Sequence, residues 1–119
     1  MIIFPKGESQ RVSAEETLWR YVAENGCPEA IFCRSDETLM GAAKALRKLG
    51  YRIPEQTTLL GIDGIQDTDY LGVPVQTVAQ PVESMCRLAW RLLQERLEKP
   101  QQPARQETLR GTLDWRGVD

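Results

Sequence analysis

The chain is 119 residues long, 41% hydrophobic and 27% charged, with a formal net charge of −2 from fifteen Lys and Arg against seventeen Asp and Glu. That is the composition of one globular domain, and without a basic surplus it is a poor electrostatic match for a polyanion. Histidine is absent, which excludes Ser-His-Asp and Cys-His catalysis and His-containing zinc sites within the chain.

Met1–Phe4 is a short β-type run stopped by Pro5. Lys6 interrupts it too early for a signal peptide, and no later apolar stretch approaches the roughly 20 residues that span a bilayer. Ser13 and Glu16 have the spacing of a capping box, so a helix is expected from there to about Glu24, ended by Asn25-Gly26. Ala30–Cys33 reads as a buried strand. Ser35 or Asp36 caps the next helix, on which Leu39, Met40, Ala43, Leu46 and Leu49 follow a 3-4 spacing up to Gly50. Thr57–Ile62 reads as a strand and Asp67–Leu71 as a single helical turn, with Gly72 and Pro74 breaking it. Val75–Ala79 is a further strand. Pro81 suits the first turn of a long helix whose stripe is Val82, Met85, Ala89, Leu92, Leu93 and Leu97. After the polar link Pro100–Pro103, alternation over Thr108–Trp115 suggests an edge strand. Strands alternating with helices predict an α/β fold, a mainly parallel open sheet with flanking helices.

In such sheets ligands meet the carboxyl ends of the strands. Three polar groups fall there: Ser35 with Asp36 at a helix start, Asp63 after the third strand, and Gln80 after the fourth. A carboxylate accepts two hydroxyl protons and an amide both donates and accepts, a set suited to a hydroxylated ligand. Each residue also has an ordinary local use, in a cap, a turn or a helix start. Other patterns carry less. Gly61-x-x-Gly64 lacks the dinucleotide-loop spacing, and Asp63, Asp67 and Asp69 do not form a calcium loop, the last two reading as solvated. Lys44, Arg47, Lys48 and Arg52 read as a wet helix edge, and Trp19, Trp90 and Trp115 as packing residues. Cys27, Cys33 and Cys86 cannot all pair and match no metal or redox motif, so they read as small buried groups in a reducing compartment. No catalytic set, metal site or cofactor site is evident.

Taken in order, Pro28-Glu29-Ala30-Ile31-Phe32-Cys33-Arg34-Ser35-Asp36, Met40-Gly41-Ala42, Ala45-Leu46 and Gly50-Tyr51-Arg52-Ile53-Pro54 resemble the C-terminal effector domain of LacI/GalR-family bacterial transcription regulators. Leu60-Gly61-Ile62-Asp63-Gly64 and Pro74-Val75-Gln76-Thr77-Val78-Ala79-Gln80-Pro81 extend the likeness, which runs from about Pro28 to Leu97. It implies a periplasmic-binding-protein-like lobe, incomplete here. Residues 1–81 would be part of the C-terminal lobe, 82–99 a helix that normally packs on the N-terminal lobe, and 104–119 a closing strand and tail. It further implies a cytoplasmic, non-enzymatic sensor of a sugar, sugar phosphate or similar effector, with Ser35, Asp63 and Gln80 as contacts and Asp36 supporting the helix start. Ser35 stands where the family usually has Asn, and Gly64 where it often has Asp or Asn. Met40, Asp67, Tyr70 and Leu71 correspond to the family's dimer surface, so a homodimer or larger is expected. Operator DNA would be engaged only through a headpiece that these residues do not contain. Two rival readings are a lobe of an exported sugar-binding protein for uptake and a flavodoxin-like phosphoacceptor domain using Asp63. The second is weakened because Phe4-Pro5-Lys6-Gly7 supplies no acidic pair.

Overall fold

The computed structural model describes residues 10–118, so the Met1–Phe4 run lies outside the described residues. In chain order the elements are α1 (Gln10–Asn25), β1 (Ala30–Phe32), α2 (Asp36–Lys48), β2 (Thr58–Asp63), a 3-10 turn (Gln66–Tyr70), β3 (Val75–Ala79), α3 (Val82–Glu98) and β4 (Thr112–Arg116). The four strands form one sheet in the order β1-β2-β3-β4. The first three run parallel, in register Phe32 with Leu60 and Asp63 with Ala79, while β4 returns antiparallel along β3. The α/β class and the mainly parallel open sheet are therefore as expected.

One face of the sheet is covered. Leu59 and Gly61 of β2 and Val75 and Thr77 of β3 are buried on it, beneath Leu39, Ala43 and Leu46 of α2. Burial of each large aliphatic side chain contributes about 1.5–3 kcal/mol. α1 lies against α2 through Ala14, Leu18 and Val22, and the two come so close at Gly41 that a Cβ there would collide with the Arg11 carbonyl oxygen. The other face is open: Phe32 is 64% exposed, Leu113 and Trp115 are exposed too, and the strand period puts Leu60, Ile62 and Val78 beside them. α3 buries no residue at all.

Five expectations need correction. Ser13 and Glu16 do not cap α1, because the helix already runs from Gln10. Packing against α2 outweighs the local cap signal and buries Ser13, whose hydroxyl has no partner among the described residues. β1 is not a buried strand. Ala30 and Phe32 are exposed and only Cys33 beyond them is buried; among the described residues β1 is paired with β2 alone, and the face that carries Phe32 is open. β4 starts at Thr112 rather than Thr108, because the ladder reaches only as far as Ala79, its partner at the end of β3. Trp19, Trp90 and Trp115 are all substantially exposed rather than packed. Among the thiols, Cys33 is buried and Cys27 half-buried, but Cys86 on the uncovered α3 is exposed.

Candidate functional site

Because β1, β2 and β3 are parallel, their carboxyl ends fall on one edge, where Ser35 comes three residues after β1, Asp63 is the last residue of β2 and Gln80 directly follows β3. Ser35 is the N-cap of α2. Its hydroxyl accepts from the Thr38 N–H at 3.3 Å, and the Thr38 hydroxyl accepts from the Ser35 N–H at 3.2 Å, a reciprocal box. Ser35 also donates to Gln10 Oε1 at 3.2 Å, so its oxygen is largely committed to structure. Asp63 and Gln80 are joined directly: Gln80 Nε2 donates to Asp63 Oδ1 at 2.7 Å, and the Gln80 N–H to the Asp63 carbonyl at 3.3 Å. Among the described residues no hydrogen bond uses Asp63 Oδ2 or Gln80 Oε1, and both can serve as acceptors. Asp63 has a backbone φ of 122°, a region that L-residues other than glycine seldom occupy.

Asp36 is a correction in kind. It is not the cap but the first helical residue of α2, and its side chain is fully buried. Oδ1 accepts from the Thr77 hydroxyl at 2.7 Å and Oδ2 from the Ile65 N–H at 2.9 Å. Gly61 makes the room, since a Cβ there would overlap the Asp36 carboxylate. The helix dipole at the start of α2 favours a negative charge at this position. That charge is felt nearby: burial first, and Asp36 second, push the Cys33 thiol up to about 12.

The second group marked in the sequence surrounds a separate recess of about 570 Å³ lined by Met40, Asp67, Tyr70 and Leu71 together with Arg11, Gly41, Lys44 and Arg47. Tyr70 is 80% exposed, whereas Met40 is buried. Asp67 is exposed but not merely solvated: Arg11 bridges it at 2.7 Å and holds Glu37 at 2.6 Å. Arg11 keeps the Glu37 carboxyl below the usual carboxylate range, and Lys44 and Lys48 do the same to Glu15. Asp69 likewise pairs with Arg116 at 3.2 Å. Two residues escaped the sequence reading. Thr77 had a signal, a hydroxyl in the middle of an apolar strand; Arg11 had none, because its partners lie 26 and 56 residues away.

A model of the periplasmic binding protein-like domain matches residues 3–117. The chain belongs to that family. Within it, the chain is 33% identical over 91 residues to the ribose operon repressor of Haemophilus influenzae, a stretch covering 76% of this chain and 27% of the repressor. Among solved structures it is similar to a LacI family transcriptional regulator from Arthrobacter sp. FB24 in complex with lactose (28% identity, TM-score 0.82, 90% of this chain and 40% of that one). It is also similar to the regulator CelR in complex with cellobiose (26% identity, TM-score 0.79, 91% and 33%). The chain thus spans between about a quarter and two-fifths of the length of these relatives. The LacI-type effector-domain resemblance and its fold are confirmed, and the relatives are regulators rather than enzymes or uptake proteins.

Proposed function

We propose that this periplasmic-binding-protein-like chain is the effector-sensing and dimerisation part of a LacI/GalR-type transcriptional regulator working in the cytoplasm, by binding rather than catalysis. The observation that carries the reading is the joined Asp63–Gln80 pair at the carboxyl edge of the parallel strands, beside the capped start of α2. Its open acceptor oxygens match hydroxyl donors, and the Asp63 carboxylate repels a phosphate, so a neutral sugar is favoured over a sugar phosphate. The lactose and cellobiose complexes of related regulators support that choice. Self-association would use the Met40, Asp67, Tyr70 and Leu71 surface, and operator DNA would be contacted through a headpiece outside these 119 residues. No described helix is long and apolar enough to cross a membrane.

Calorimetric titration with a panel of neutral mono- and disaccharides tests the site. Asp63→Ala should weaken the best binder about ten- to a hundredfold, the loss expected for hydrogen bonds to a charged group. An unchanged Kd removes Asp63 from the site.

A further inference from the structure

We propose that Thr77 and Asp36 are positioning residues for the Asp63–Gln80 pair, acting through the Gly64–Ile65 backbone without touching a ligand; what the pair binds rests on the function proposed above. Both side chains are fully buried and neither reaches the open edge. The Thr77 hydroxyl has one proton, and it goes to Asp36 Oδ1 at 2.7 Å. An ionised carboxylate only accepts, so this bond fixes the direction of the hydroxyl and leaves its oxygen to accept from the Gly64 N–H at 3.2 Å. The other carboxylate oxygen takes the Ile65 N–H at 2.9 Å. The two amides immediately after Asp63 are therefore both tied to one buried unit. Thr77 stands on β3 three residues before Gln80, so the same unit holds both strands whose ends bear the pair.

The arrangement explains the backbone of Asp63. A φ of 122° is retained only where surrounding structure over-determines it, and the bonds to Gly64 and Ile65 do so. With that backbone, Asp63 Oδ1 lies 2.7 Å from Gln80 Nε2. Without the Thr77 hydroxyl, the Gly64 N–H has no other partner among the described residues, and the turn is free to relax toward an ordinary φ.

Amide hydrogen exchange and side-chain NMR of the chain provide the test. Thr77→Val removes the hydroxyl and keeps the shape. It should lower protection at the Gly64 amide by roughly tenfold or more, leave the Leu46 amide in α2 unchanged, and shift the Gln80 side-chain amide toward its free position. Thr77→Ser should restore both signals. Unchanged Gly64 and Gln80 signals in Thr77→Val, or a loss spread equally to Leu46, overturns the assignment. If Thr77→Val does not fold, Thr77→Ala decides: it removes the same hydroxyl without a branched side chain to fit, so the Gly64 amide must lose its protection and the Gln80 side-chain amide its bonded position while Leu46 keeps its protection. Retention of both overturns the proposal. These signals are read without ligand, so failure of every sugar to bind counts against the effector reading alone.

Discussion

Cys33 shows how a single side chain reports on its surroundings. Buried behind β1, with the Asp36 carboxylate nearby, its thiol is pushed up to about 12 from an ordinary 9.0. Between those two values the unfolded thiol ionises while the folded one keeps its proton. The unfolded state then binds fewer protons, so stability falls as pH rises through this window and is complete below 9.0. Urea midpoints should hold up to about pH 9 and drop from there toward about pH 12, and Cys33→Ala should flatten the part of that drop owed to the thiol. A thiol-reactive chromophore should label Cys86 at once and Cys33 only on unfolding. Ser35, Asp63 and Gln80 could be placed on one edge from sequence because each lies at or within three residues of a strand's carboxyl end. The burial of Asp36 could not, since its partners Ile65 and Thr77 lie 29 and 41 residues away.

Elements whose own residues decide their form were legible in the sequence: α2 with a cap at Ser35 or Asp36, and β3 with its stated bounds. Boundaries set by a neighbour were not. Ser13 looks like a cap until α2 is laid against it, and Thr108–Gly111 look like strand until β3 runs out. Gly41 belongs to the same class, because its importance lies in the α1 backbone above it. Gly41→Ala gains a little helix propensity but drives a methyl into the Arg11 carbonyl and the Ala14 side chain. It should destabilise the chain by about 1–3 kcal/mol, seen as a lower urea midpoint with an unchanged slope. Gly50→Ala is the control for that measurement: open space surrounds Gly50, and its cost arises from its φ of 82° alone.

At the scale of the molecule, the chain is drawn out. Its Cα radius of gyration is 18.3 Å against about 13.5 Å for a compact domain of this length. α3 presents Val82, Met85, Leu93 and Leu97 to solvent, and the open sheet face adds Phe32, Leu113 and Trp115. Exposed apolar surface of this extent is normally covered by protein. The chain by itself should therefore form dimers or larger species at micromolar concentration by light scattering. A monodisperse, cooperatively unfolding monomer would contradict this. With its net charge of −2, it should also show no sequence-selective retention of DNA in a gel shift at physiological salt.

The antiparallel return of β4 ties the order of synthesis to the order of closure. β3 is complete by Ala79, but the strand that pairs with its outer edge is made only at Thr112–Arg116. Arg116 then clasps Asp69, and Gly117 fits against the Val73 carbonyl, where no side chain could. Since chains emerge from the ribosome N-terminus first, the edge of β3 next to Gln80 stays bare for the whole of α3 and the segment after it. The sheet can close only when translation of this stretch is finished, and a nascent chain halted before Thr112 carries an open strand that any other extended peptide can join.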